Sequence, residues 1–193
     1  MIEIQNLYKK FGSNQVLSGL DLEISDGGIF AILGPNGSGK TTLIKSILGM
    51  VVPKTGNIQI QGQNIKNHWE YRQQINYLPQ IANFPGNLSV KELVRMIKDL
   101  RQKPSEEEKL IDLFGLKPFL DKKLVNLSGG TKQKVNIVLT FMFDSPLLIL
   151  DEPTTGLDPA SHIKLKTLIK EEKGKGKTIL ITSHIMQFVE EMA

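Results

Sequence analysis

One eight-residue stretch constrains this chain more than any other. Gly34-Pro35-Asn36-Gly37-Ser38-Gly39-Lys40-Thr41 follows the apolar run Ile29 to Leu33 and leads into Thr42-Leu43-Ile44-Lys45-Ser46-Ile47-Leu48. A continuous apolar run of that length reads as a strand buried on both faces, as parallel strands of an α/β sheet do. The segment after it has helical spacing. Between them, Gly34, Gly37 and Gly39 let backbone N–H groups turn inward, and the first turn of the helix adds unpaired N–H groups and positive potential. Strand, G-x-x-x-x-G-K-[ST] loop and helix in that order form a cradle for phosphate oxygens. Lys40 is placed to reach the outer phosphates and the Thr41 hydroxyl to ligate magnesium. The specified positions match by chance in such a chain only about once in a hundred, so an ordinary glycine turn is a poor account of them.

Two further apolar runs, Leu147 to Leu150 and Thr178 to Thr182, also read as parallel strands buried on both faces. The first 28 residues differ. Apolar and polar positions alternate there (Ile2, Ile4; Val16, Leu20, Leu22, Ile24), as they do from Gly56 to Gly62, which predicts exposed antiparallel strands. From Ile81 to Leu127 the pattern is helical: Ser89-Val90-Lys91-Glu92 and Ser105-Glu106-Glu107-Glu108 both fit a capping box, Leu93, Met96, Ile97 and Leu100 recur at helical spacing, and Gly115 sits where a helix would stop. Glu171 to Lys177 reads as a solvated helix end and loop. The expected fold is therefore α/β: a core with a mainly parallel sheet, an N-terminal antiparallel β subdomain and a helical insert. Residues 1–193 form a single domain in this reading, with 1–80 and 128–193 supplying the core and 81–127 the helical part.

Charge and composition exclude more than they assign. The chain has 24 basic and 20 acidic residues, a net +4, which is compatible with anionic partners in general. It has no cysteine, so disulfides and thiolate metal sites are excluded. Met1-Ile2-Glu3-Ile4-Gln5 is too polar to open a signal peptide. The most apolar stretches, Ile137 to Phe143 and Leu147 to Leu150, are split by Asp144-Ser145-Pro146 and fall far short of the roughly 20 residues that cross a bilayer. Any membrane crossing is expected to belong to another polypeptide.

Leu147-Leu148-Ile149-Leu150-Asp151-Glu152 is an apolar strand that ends in two carboxylates, at the strand end where open α/β sheets place ligands. Beside a phosphate loop, Asp151 suits a magnesium ion. Glu152 suits a water that attacks the terminal phosphate, because phosphoryl transfer needs positioning and charge stabilisation more than covalent chemistry. A second anion site is predicted at Leu127-Ser128-Gly129-Gly130, where the Ser128 hydroxyl and free N–H groups open the helical stretch Thr131 to Phe143.

The order of these segments is specific. Phosphate loop, helical insert, Leu-Ser-Gly-Gly, Leu-Leu-Ile-Leu-Asp-Glu-Pro, Gly-Leu-Asp-Pro and Thr-Ser-His resemble the nucleotide-binding domains of ABC transporters over essentially the whole chain. The resemblance implies that ATP and Mg2+ bind along Gly34, Asn36, Gly37, Ser38, Gly39, Lys40, Thr41 and Thr42, with Thr41, Gln80 and Asp151 around the metal. It implies catalytic roles for Glu152, for His184 as the switch histidine that contacts the γ-phosphate, and for Gln80 as a sensor of magnesium and the attacking water. Ser128, Gly129 and Gly130 would close over the nucleotide of a second copy, and Asp158 would lie in a loop that crosses the dimer interface. Asp158-Pro159 independently reads as a helix N-cap followed by proline at the first helical position. Phe11 takes the place of the aromatic that stacks on adenine, with Tyr8 as the alternative.

Three departures accompany the resemblance. Thr131-Lys132-Gln133-Lys134 replaces the commonest glutamine after Gly-Gly, Gly28 stands where the family usually has glutamate, and the chain stops at Ala193 where the family continues, so an edge of the core is expected to be missing. The implied function is an ATPase that works as a homodimer on transmembrane permease subunits at the cytoplasmic face of the membrane, with no nucleic acid expected. The separately encoded domain and its Lys132-Gln133-Lys134 continuation point to an export-type system. The competing readings are a nucleic-acid-associated ATPase and a nucleotide-binding regulatory domain. Against the first stand the 41–126 spacing without sustained heptads and the single phosphate loop; against the second stand Glu152 and His184.

Overall fold

The computed structural model describes residues 1–192; Ala193, on which the expectation of a missing edge rests, lies outside the described residues. Alternation at the N-terminus produces β1 (Ile2–Phe11) and β2 (Asn14–Ile24), an antiparallel hairpin that turns at Gly12 with φ 57°. Next come β3 (Gly28–Leu33), α1 (Lys40–Ile47), β4 (Thr55–Ile60), β5 (Gln63–Asn64) and β6 (Ile75–Leu78). The helices α2 (Val90–Arg101), α3 (Glu107–Leu113) and α4 (Gly129–Phe141) follow. β7 (Leu147–Asp151), α5 (Pro159–Gly174), β8 (Thr178–Ser183) and α6 (Met186–Glu190) complete the order.

Two four-stranded sheets result. The antiparallel one runs β2-β1-β4-β5 and the parallel one β3-β8-β7-β6. The central strands of the parallel sheet are buried on both faces, as their composition predicts. Leu147, Ile149 and Leu180 pack with Ile2, Ile4, Leu43, Ile44 and Ile47 in a core shared with the antiparallel sheet and α1. Their neighbours Leu148, Leu150, Ile179 and Ile181 join the core under α2 to α5. This two-sided burial holds the C-terminal ends of β3, β6, β7 and β8 along one edge. The loops that begin at Gly34, Pro79, Glu152 and His184 leave from there.

Four details depart from the sequence reading. β3 is not buried on both faces: among the described residues it pairs with β8 alone, at the edge of the sheet, and Leu33 is 43% exposed. Ser89 and Glu92 form the expected capping box, but Ser105 does not cap α3. Its hydroxyl donates to the Glu107 carboxylate at 2.6 Å, and Glu106 N–H is drawn to the Met142 carbonyl at 2.8 Å, so tertiary contacts override the local motif. On α2 the core face is Val90, Leu93 and Val94, while Leu100 stays 73% exposed. The Glu171 to Lys177 stretch is not simply solvated either, because Glu172 and Lys177 are buried as an ion pair, with Lys177 also 2.7 Å from Asp144.

Candidate functional site

The phosphate loop leaves β3 and wraps the N-terminus of α1. Gly39 occupies the cap position with φ 96° and no side chain caps the helix, so the first-turn N–H groups receive no side-chain acceptor. A Cβ at Gly39 would meet the Val16 carbonyl at 3.1 Å, and both the left-handed backbone and this close approach require glycine. Lys40 is buried, and its ammonium donates to the carbonyls of Gly34 at 2.7 Å and Pro35 at 3.1 Å. Its Nζ also lies 3.6 Å from Glu152 Oε1. The lysine is thus held at the mouth of the loop by weak acceptors that an anion can outcompete.

Around it lies a cavity of about 310 Å3 lined by Phe11, Val16, Asn36, Gly37, Gly39, Lys40, Thr41, Thr42, Gln80 and Glu152. Nine of these ten are sequence-predicted site residues; Val16, from β2, is the one that sequence reasoning missed. Of the two candidate aromatics, Phe11 lines the cavity and Tyr8 does not. Tyr8 instead packs its hydroxyl end against Gly19. Gly34 and Ser38 belong to the loop without lining the cavity: Gly34 supplies its carbonyl to Lys40, and Ser38 N–H closes a turn onto the Pro35 carbonyl at 3.2 Å.

The acidic end of the site is built by register. Asp151 of β7 pairs with Thr182 of β8, and the Thr182 hydroxyl donates to Asp151 Oδ1 while accepting from Glu152 N–H at 3.1 Å. One buried hydroxyl therefore orients both acids. Glu152 follows with φ 48°, a left-handed conformation that costs a non-glycine residue about 1–3 kcal/mol and turns the chain off the strand. Its Oε2 lies 2.7 Å from His184 Nδ1, just past the end of β8. Asp151 Oδ2 and Glu152 Oε1 are buried without a hydrogen-bond partner. Neighbouring Tyr77 of β6 has its phenol pushed up to about 12, by burial and then by the charge of Asp151. Gln80 reaches the cavity on a loop pinned by Asn136, which donates to the Pro79 carbonyl at 3.0 Å. Thr182 and Asn136 were legible only as polar residues inside apolar segments.

Ser128, Gly129, Gly130 and Asp158 do not line this cavity. Ser128 caps α4, accepting from Thr131 N–H at 3.3 Å with the Thr131 hydroxyl 2.9 Å away. Gly130 packs so closely on the loop after Glu152 that a Cβ there would meet the Gly156 carbonyl at 2.9 Å. Asp158 caps α5 by accepting from Ser161 N–H and hydroxyl, both at 2.9 Å, and pairs with Lys134 of α4 at 2.7 Å. Lys134 foremost, then Ser161, hold its carboxyl well below the usual range. The contacts of Gly130 with Gly156 and of Lys134 with Asp158 tie the start of α4 to the segment that leads into α5.

A family profile described as ABC transporter matches residues 17–155. Nod factor export ATP-binding protein I of Cupriavidus metallidurans is 33% identical over the whole chain, and that of Rhizobium meliloti 34% identical over 99% of it. The chain spans 65% and 59% of the length of those two relatives. A solved structure described as the ATP binding subunit of an ABC transporter superposes with a TM-score of 0.90 at 32% identity, covering all of this chain and 82% of that one. A dimeric ATP-binding cassette in a post-hydrolysis state bound to ADP and Pi shares the fold, with a TM-score of 0.86 over 91% of its length at 24% identity.

Proposed function

The chain belongs to the ABC transporter family, and from that premise we propose that it binds ATP with magnesium and hydrolyses it as the motor subunit of an export-type transporter. The observation that carries this reading is Glu152, which lines the cavity with Lys40, follows the buried Asp151 with its unmet Oδ2, and lies 2.7 Å from His184 Nδ1. The names of the relatives, export ATP-binding proteins, support the outward direction. No helix among the described residues is long and apolar enough to cross a membrane, which suits a subunit that docks on separate permease subunits at the cytoplasmic face.

In this reading Phe11 and Val16 take the base, Asn36 to Thr42 take the phosphates and Lys40 releases its carbonyls for the β/γ-phosphates. The residues fit a magnesium ion: Asp151 Oδ2 is a buried carboxylate oxygen without a partner, and Thr41 and Gln80 line the cavity with Glu152, the residue after Asp151. Bound magnesium would neutralise charge that develops on the phosphoryl oxygens. Glu152 orients and deprotonates the attacking water, while His184 holds its carboxylate in place and meets the γ-phosphate. Ser128 to Gly130 and Asp158, away from the cavity, act on the nucleotide of a second copy in a head-to-tail dimer. We extend the proposal to the division of the chain: 1–80 with 128–193 as the core, and 81–127 as the helical part. Phosphate release by the full-length protein with ATP and magnesium tests the function. Release no faster than buffer, with and without its membrane partner, would remove the hydrolytic reading.

A further inference from the structure

The contact between His184 and Glu152 must be held from somewhere, and the histidine's own surroundings hold it little. His184 is 47% exposed, and the chain beyond it makes a tight turn in which Ser183 Oγ accepts from Ile185 N–H at 3.0 Å. The next fixed element is α6, which begins at Met186. It seats on the molecule through Phe188, 2% exposed, whose ring stacks on His162 with centroids 5.5 Å apart and an interplanar angle of 27°. His162 lies in the first turn of α5 and donates its N–H to the Asp158 carbonyl at 2.9 Å. This stack, together with the ion pair of Lys166 and Glu191, ties the helix that follows His184 to the helix capped by Asp158.

We propose that His162 is a positioning residue for hydrolysis: its ring seats Phe188, fixes α6, and so holds His184 against Glu152 in register with the Asp158 loop. The proposal rests on the hydrolytic reading above. His162 Nε2 is buried with no hydrogen-bond partner, so that atom adds no polar contact to the stack on Phe188. The charged groups that face the ring are Lys166 on α5 and Glu191 beyond α6, which pair with each other. Burial, then Lys166, lowers the imidazole below its ordinary value, and Glu191 opposes them. The seated ring is accordingly neutral at neutral pH. Because the unseated ring binds a proton more readily, seating is fully favoured above the ordinary histidine value of about 6.5 and is lost as pH falls through the lowered one.

The test uses full-length protein with His162→Ala, His162→Phe and Phe188→Leu. The alanine and leucine variants are expected to lower kcat by about 10- to 100-fold, the scale of a misplaced catalytic contact, with KM for ATP nearly unchanged. Amide hydrogen exchange over residues 184–190 should quicken in both. His162→Phe keeps an aromatic stack without a titrating group, so it should restore kcat at pH 7 and move the acid limb of the pH profile to lower pH. The proposal is overturned by an unchanged kcat in both disrupting variants, by failure of phenylalanine to rescue, by an acid limb identical to the parent's, or by losses that track the fraction unfolded. A parent with no ATPase activity would sink the hydrolytic reading alone. The exchange measurement still decides the seat, since unchanged exchange at 184–190 in His162→Ala overturns it independently.

Discussion

The chain presents two helix N-termini suited to anions, and they are built in opposite ways. α1 starts behind a glycine loop with no side-chain cap, next to a buried lysine that leans on two carbonyls and to buried acids with two oxygens that accept no hydrogen bond, one of them 3.6 Å from that lysine. α4 starts behind Ser128, which caps it, and the exposed groups there satisfy one another. Burial of unmet polar groups is costly unless a ligand meets them, so α1 is a site that its own fold leaves incomplete. At α4 the serine cap leaves only an exposed hydroxyl proton, and in the proposed function it meets an anion that another molecule brings. In the proposed function the α1 side makes the chemistry and the α4 side responds to assembly, so substitutions on the two sides should behave differently.

The largest effect is expected on the α1 side. Glu152→Gln keeps size and hydrogen-bonding shape but cannot accept a proton, so turnover should fall about 10²- to 10⁴-fold, roughly 3–5 kcal/mol of barrier, while ATP still binds. Phosphate release and equilibrium titration measured on the same preparation separate the two quantities; a near-parent rate would pass the role to His184. Lys40→Ala should act on binding instead. Charge-assisted hydrogen bonds contribute roughly 1.5–3 kcal/mol, so affinity for ATP with magnesium should weaken by about 10- to 150-fold. Unchanged affinity in isothermal titration would show that the loop is not the phosphate site.

A mixing experiment tests whether the α4 side serves a second copy. Lys40→Ala spoils the α1 half and Ser128→Arg the α4 half, so each homodimer has two defective sites. Random pairing makes half of the dimers mixed, each with one composite site intact, and activity should recover to about a quarter of the parent's. Activity no greater than that of either variant alone would mean that both halves serve the same nucleotide.

How far this was legible from sequence follows the same divide. The glycine loop could be read because its requirement is on the backbone: Gly39 needs φ 96° and the space beside Val16. β7 could be read because two-sided burial demands an unbroken apolar run, and Leu147 to Leu150 alternate between two cores. β3 has a similar composition yet lies at the sheet edge, since hydrophobicity does not report which neighbours a strand finds. Ser105-Glu106-Glu107-Glu108 satisfies a capping pattern, but the contacts of Glu106 with Met142 and Ser105 with Phe143 decide its geometry. Thr182, Asn136 and Val16 reach the site through pairing and packing across long stretches of chain, a relation that no local pattern encodes. The buried pair of Glu172 and Lys177 was hidden for the same reason, inside what reads as a charged surface run.

The smallest effect should come from Thr131, where this sequence departs from the commonest signature. Ser128 Oγ has one proton and two lone pairs, and one lone pair already accepts from Thr131 N–H. If Ser128 donates to Thr131 Oγ1, the threonine proton is left to point outward; if Thr131 donates, both serine lone pairs are used and the serine proton points outward. Either arrangement offers one outward O–H that its neighbour polarises. Thr131→Val preserves shape and the backbone cap but removes the second hydroxyl, so α4 should remain folded. ATP-dependent dimerisation of an otherwise hydrolysis-deficient Glu152→Gln background should then weaken by about 0.5–1.5 kcal/mol, or roughly 2- to 12-fold in dissociation constant. Sedimentation equilibrium with ATP and magnesium resolves a change of that size. A valine variant that dimerises as tightly as its background would show that the threonine hydroxyl contributes nothing to the second anion surface, and that Ser128 works there alone.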